Sequence, residues 1–214
     1  MRTYLFDFDG TLVDSMPAYA ALMLRILDEE GISYGDDIVK IITPLGYRGT
    51  AEYYRELGAA SSPRALVRRM TEYAEYEYAE RILAKAGVER TLRALRERGA
   101  SLNVLTASPH GMLDPCLRRN GIHELFDNVW SCEDFGTTKS DPAIYRMAAE
   151  RLGCAVGEII FVDDNIGAVR TAKQAGMRVY GIYDDSSREE RDEMRAAADR
   201  YLERFDELLG ERDA

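Results

Sequence analysis

Nine residues near the amino terminus, Asp7-Phe8-Asp9-Gly10-Thr11-Leu12-Val13-Asp14-Ser15, hold the acidic groups best placed for chemistry in this 214-residue chain. They follow the short apolar run Tyr4-Leu5-Phe6. On an extended backbone successive side chains point to opposite faces, so Asp7 and Asp9 can share a face while Phe8 points away. Two close carboxylates repel, so one takes up a proton or a cation sits between them. Either outcome is useful, because an ionised carboxylate can attack and a protonated one can donate. Gly10 permits the sharp turn that brings both groups to one crevice. A bare Asp-x-Asp pair also occurs as an exposed loop cap, and that reading stays open at this point.

Other functional residue types stand in comparable places. Leu102-Asn103-Val104-Leu105 ends at Thr106, and Ile159-Ile160-Phe161-Val162 runs into Asp163-Asp164. Val129-Trp130 precedes Lys139 by a few residues, and Val179-Tyr180-Gly181-Ile182 precedes another acidic turn. In open α/β sheets the ligand crevice lies beyond the carboxyl ends of the strands, where Asp7, Thr106 and Asp163-Asp164 are expected. Alone, Thr106 reads as a strand-end cap, Lys139 as a solvent-facing lysine and Asp163-Asp164 as a helix N-cap pair.

The elements that must position these residues alternate. Val88, Leu92 and Leu95 share a helical face, with Gly99 where that helix would end. Asp141-Pro142 reads as an N-cap followed by proline at the first helical position, and a further helix over 166–175 stops at Gly176. Strands alternating with helices from about residue 88 onward argue for an α/β fold, a parallel sheet with helices on both faces. Residues 16–85 break the rhythm, with helical patterns near 18–30, 50–57 and 65–83 and no convincing strand. They read as a helical insert, giving a core of residues 1–15 and 86–214. The pattern of Met194, Ala198, Tyr201 and Phe205 or Leu208 predicts one long charged helix over 187–214.

Composition narrows the function classes. Hydrophobic residues at 46% and charged residues at 31% fit a globular domain rather than a disordered chain. No apolar run approaches the roughly 20 residues that span a bilayer, and acidic residues arrive too early for a signal peptide, so a cytoplasmic protein is expected. A net charge of −10 disfavours nucleic acid and anionic membranes as partners. It also means that an anionic substrate would need local positive groups or a bound cation. Cys116, Cys132 and Cys154 lack the spacing of a disulfide framework or zinc site, and two histidines are too few for a histidine metal centre.

The nine-residue segment resembles the first motif of the haloacid dehalogenase superfamily in its phosphatase-like form. Leu105-Thr106-Ala107-Ser108 resembles the second motif, Lys139 the third and Phe161-Val162-Asp163-Asp164-Asn165 the fourth, in the expected order. The resemblance implies a Rossmann-like doubly wound core with an all-helical cap domain inserted after the first strand. It implies that Asp7 attacks phosphorus to form an aspartyl-phosphate and that Asp9 serves as acid and base. It implies Mg²⁺ held by Asp7, the Asp9 backbone carbonyl and Asp164, with Asp163 close by. Thr106, the Ala107 backbone N–H and Lys139 would hold the phosphoryl oxygens. Mg²⁺ and Lys139 would then supply the positive potential that the net charge lacks.

Departures from the pattern concern details. Ala168 stands where a common fourth motif has a second metal-binding aspartate, so the chain resembles the branch with adjacent acids. Lys139 precedes Ser140 where proline is usual, and Tyr19 stands nearest to a cap histidine of the mutase branch. Gly46-Tyr47-Arg48-Gly49 reads as a loop whose Arg48 could grip a second anionic group, with Tyr19 and His110 as further specificity candidates. The expected partner is a small phosphorylated metabolite, and a monomer or weak homodimer is expected. The alternatives are a sugar-phosphate mutase and a non-catalytic binding or regulatory module. A dehalogenase ranks below these, because carbon–halogen displacement needs neither the Asp9 acid/base nor the metal set.

Overall fold

The computed structural model describes residues 2–210, the side chain of Pro44 excepted. In chain order the elements begin with strand β1 (Thr3–Phe6), helices α1 (Met16–Glu29), α2 (Ile38–Ile42), α3 (Gly46–Glu56), α4 (Pro63–Glu80) and α5 (Val88–Glu97), then β2 (Ser101–Thr106). They continue with α6 (His110–Arg119), β3 (Asn128–Ser131), α7 (Pro142–Leu152), β4 (Ile159–Asp163), α8 (Ile166–Ala175), β5 (Arg178–Ile182), α9 (Arg191–Ala197) and β6 (Arg200–Leu202). Short 3₁₀ turns fill several connections.

The six strands form one parallel sheet in the order β3-β2-β1-β4-β5-β6. The chain steps outward from β1 through β2 to β3, then restarts at β4 on the other side. The switch point therefore falls between β1 and β4, where a doubly wound α/β sheet opens its crevice. One face of the sheet presents Leu5, Leu105, Phe161 and Val179 to Tyr145 and Ala148 of α7 and Val169 of α8. On the other, the Phe6 ring lies 5.5 Å from Phe205 and 6.4 Å from Phe126. Each fully buried side chain of this size contributes about 1.5–3 kcal/mol, so both faces hold the strand ends firmly in place.

The contacts divide the chain into two compact units. One comprises residues up to Asp14 and from Leu83 onward and contains the sheet; the other, Ser15–Ile82, is wholly helical. Within the helical unit the buried Tyr54 hydroxyl donates to the Met23 carbonyl at 3.0 Å, joining α3 to α1. Glu30 accepts from Ser61 and is paired with Arg69, which together hold its carboxyl down at about 2 against the opposing effect of burial. No helix among the described residues is long and apolar enough to cross a membrane.

Two sequence expectations are corrected. Residues 46–49 do not form a loop: α3 begins at Gly46, and α2 before it had no helical signal of its own in a five-residue segment. The carboxyl-terminal region is not one long helix. After α9, Ala198 turns extended with ψ 153°, and β6 joins the edge of the sheet before a 3₁₀ turn over Phe205–Gly210. Asp199 makes the change: its N–H donates to the Val179 carbonyl and its carboxylate accepts from the Val179 N–H, both at 2.8 Å. Satisfying the open edge of β5 and burying Leu202, Phe205 and Leu208 outweighs helical continuation. Residues 211–214 of that expected helix lie outside the described residues.

Candidate active site

The β1–β4 register pairs Phe6 with Val162, and the Asp7 N–H extends the ladder one step by donating to the Val162 carbonyl at 2.9 Å. Asp7 thus lies at the end of β1 beside Asp163, the last residue of β4. Asp164 follows, and Asn165 rather than either acid caps α8, accepting from the Ala168 N–H at 3.0 Å. The acids are therefore released from helix capping. Gly10, at φ +75°, turns the chain directly over Asp164, and a β-carbon there would collide with the Asp164 carboxylate. Only glycine meets both demands.

One oxygen from each of Asp7, Asp163 and Asp164 falls within 4.8 Å of the others, and all three residues are buried. Lys139 Nζ donates to Asp7 Oδ1 at 2.6 Å and to Asp163 Oδ2 at 2.8 Å. The Thr11 hydroxyl donates to Asp164 Oδ1 at 2.9 Å. Three carboxylates thus face one ammonium. Burial, followed by the charges of Asp163 and Asp9, pushes Asp7 up to about 7 despite the opposing pull of Lys139. Burial and the neighbouring Asp163 and Asp7 likewise raise Asp164 well above the usual carboxylate range. Burial opposes the Lys139 charge, but Asp163 and Asp7 more than offset it, so the ammonium stays protonated.

The excess negative charge and the hard, all-oxygen donor set suit a divalent cation such as Mg²⁺. The Asp9 carboxylate is not one of the three clustered groups. It lies instead under Ser108, whose Oγ donates to Asp9 Oδ2 at 2.5 Å. Thr106 is buried at the end of β2, and its Oγ1 accepts from the Ser108 N–H at 3.0 Å, with Ala107 between them. The turn after β2 therefore links the second-motif residues to Asp9.

Where Ser140 departs from the lysine-proline pair of the resemblance, local hydrogen bonds surround Lys139. The Tyr145 hydroxyl lies 3.0 Å from the Lys139 carbonyl, and the Asp141 N–H donates to the Thr138 carbonyl at 3.0 Å. Thr138 and Ser140 hydroxyls meet at 2.7 Å, and Asp141 caps α7 by accepting from the Ala143 N–H. The three specificity candidates each make their contacts within their own unit. His110 opens α6 with Nδ1 3.1 Å from Asp114 and Nε2 2.9 Å from Asp134, so both ring nitrogens are engaged by carboxylates. Tyr19 belongs to α1 of the helical unit, where its ring stacks on Tyr47 at 6.5 Å. Arg48 is exposed in the first turn of α3, beside Glu52 at 3.4 Å.

Sequence reasoning missed Ser108 as the partner of Asp9, Thr11 as that of Asp164, and Tyr145 as the support of Lys139. It also missed Lys85, whose ammonium bonds the Gly10 carbonyl. Thr11 and Ser108 carried a signal, each being a hydroxyl inside a motif the sequence singled out.

Comparison with known proteins agrees with this geometry. A family model described as haloacid dehalogenase-like hydrolase matches residues 1–176. A phosphorylated carbohydrates phosphatase of Thermotoga maritima is 27% identical over 184 residues, covering 85% of each chain. A phosphoglycolate phosphatase of Salmonella typhi is 30% identical over 206 residues, covering 85% of this chain and 81% of its own. The crystal structure of a putative beta-phosphoglucomutase from Thermotoga maritima superposes with a TM-score of 0.80 at 25% identity, covering 98% of this chain and 97% of its own. The chain belongs to the haloacid dehalogenase-like hydrolases, and its relatives support a phosphatase.

Proposed function

We propose that this chain hydrolyses small phosphomonoesters with the help of Mg²⁺, through an aspartyl-phosphate on Asp7. The observation that carries the reading is the buried Asp7–Asp163–Asp164 cluster with Lys139 bonded into it. Lys139 occupies Oδ1 of Asp7 and leaves Oδ2 as the attacking atom. That oxygen forms a bond to phosphorus as the bond to the leaving oxygen breaks, and Asp9 gives the leaving oxygen its proton. Ser108 holds the Asp9 carboxylate in one orientation while it does so. Asp9 then takes a proton from water, which attacks the phosphoryl group and returns Asp7 to its carboxylate form.

Charge accumulating on the phosphoryl oxygens is met by Lys139, the Thr106 hydroxyl and the Ala107 N–H. Asp7, Asp163 and Asp164, with the Asp9 backbone carbonyl, would hold the divalent cation, which when bound neutralises excess negative charge and polarises the phosphoryl group. The helical unit, residues 16–85 in the sequence reading, would act as the cap that selects the leaving group. Substrates of the kind named for the relatives, phosphorylated carbohydrates and phosphoglycolate, are the first candidates.

The test is a phosphate-release screen over phosphorylated sugars and short phosphorylated acids, with Mg²⁺ or with a chelator. Release is expected from at least one compound with Mg²⁺ and from none with the chelator. Undiminished release in the chelator would contradict the cation role. The likeness to a putative beta-phosphoglucomutase favours a second reading, phosphoryl return to the sugar. Labelled phosphate moving between sugar positions without release would establish that alternative.

A further inference from the structure

Lys85 follows residues 83–84, which run antiparallel to residues 12–14. The Asp14 N–H donates to the Leu83 carbonyl at 3.0 Å, Val13 and Ala84 form a bridge, and the Lys85 N–H donates to the Leu12 carbonyl at 2.9 Å. The Lys85 ammonium then reaches three acceptors: the Gly10 carbonyl at 2.6 Å, the Tyr183 carbonyl at 2.8 Å and Asp184 Oδ2 at 3.0 Å. An ammonium has three donors and no acceptor, so its capacity is fully used.

The placement of these acceptors matters more than their number. Gly10 belongs to the loop after β1, and Tyr183 and Asp184 to the loop after β5. Strand β4, whose end carries Asp163 and Asp164, lies between those two strands. Lys85 therefore ties together the loops on either side of Asp164. On the inner side of that tie, Thr11 donates to Asp164 and Gly10 lies against the same carboxylate. None of these bonds involves an atom assigned above to attack, proton transfer or phosphoryl binding.

We propose that Lys85 is a positioning residue for the divalent-cation site: its hold on the Gly10 carbonyl keeps Gly10 and Thr11 against Asp164 and thereby sets the cation affinity of the Asp7–Asp163–Asp164 set. The proposal rests on the reading that those carboxylates hold a cation. The sign of the effect separates positioning from charge. Lys85 is itself positive, so by Coulomb's law alone its removal strengthens the binding of another cation. The Asp184 carboxylate left behind adds attraction of the same sign. Loss of positioning acts the other way.

Mn²⁺ binding to the whole chain, followed by electron paramagnetic resonance below the unfolding temperature, reads that sign. Lys85→Met is expected to weaken Mn²⁺ binding about 10- to 100-fold, the range typical of groups that orient metal ligands. The double variant Lys85→Met/Asp184→Asn relieves the stranded carboxylate and keeps the test usable should the single variant fold poorly. It is expected to bind Mn²⁺ at least as weakly as the single variant. Unchanged or tighter binding in the variants overturns the proposal. Failure of the wild-type chain to bind Mn²⁺, or binding that survives Asp164→Asn, overturns the cation reading itself and the proposal with it.

Discussion

Asp7→Asn is expected to lower phosphate release on the order of 10⁴-fold or more while the protein stays folded. The amide matches the carboxylate in shape, and its oxygen can still accept from Lys139, but it cannot attack phosphorus. Thr106, Ala107 and Lys139 are untouched, so substrate binding is expected to survive. A loss confined to kcat is therefore the signature of a nucleophile rather than of a damaged fold. Paired phosphate-release and thermal-unfolding measurements check this. The same substitution removes one of three crowded negative charges, so the metal-free variant is expected to melt no lower than the wild type. A variant releasing phosphate at the wild-type rate would remove Asp7 from the chemistry.

The second large effect couples stability to pH and to the cation. In the unfolded chain the Asp7 carboxyl titrates near its ordinary value of 3.8, whereas in the folded protein it is pushed up to about 7. Between those values the folded state keeps a proton that the unfolded chain has released. Stability of the metal-free protein therefore falls as pH rises through that window, by on the order of a few kcal/mol. Asp164, raised in the same direction by burial and by Asp163 and Asp7, adds to the slope. His110 is raised mainly by its bond to Asp134, and it also contributes stability that is lost as pH rises. The slope that remains in Asp7→Asn belongs to Asp164 and His110, so the difference from the wild type isolates the Asp7 part.

On the proposed reading, Mg²⁺ would reverse the cost by binding the ionised carboxylates. At about 100 times its dissociation constant a ligand adds about 2.7 kcal/mol of stability, and a chain of this size gains about 2–4 °C for each kcal/mol. Unfolding followed with and without Mg²⁺ is expected to show a rise of about 5–10 °C at pH 8. The rise is expected to be much smaller at pH 5, where protons compete for the same oxygens. An equal rise at both pH values would contradict the assignment of the cation to these acids.

The sequence made the framework legible where local chemistry and fold agree. β1 and β4 could be read because an apolar run ends abruptly in acids, a pattern suited to a buried parallel strand feeding a crevice. Helices α7 and α8 could be read because Asp141-Pro142 and Gly176 mark a start and a stop with known physical causes. The carboxyl-terminal region was misread because Met194, Ala198, Tyr201 and Phe205 satisfy a helical spacing by coincidence. The need of β5 for an edge partner is a tertiary demand that no local pattern carries. The supports of the site were hidden for a related reason. Thr11 meets Asp164 across 153 residues, and Lys85 finds its acceptors 75, 98 and 99 residues away. A lysine after an alanine in an unremarkable linker gives no sign of such partners until the sheet brings three loops together.

The central claim is that Asp7 carries the phosphoryl group between substrate and water. Rapid acid quenching during turnover of a substrate found in the release screen, followed by peptide mass spectrometry, tests it most directly. A phosphoryl group on the peptide containing Asp7, lost after chase with unlabelled substrate and absent in Asp7→Asn, is the expected result. Steady phosphate release with no phosphoryl group on Asp7, or with one on another residue, would contradict the account.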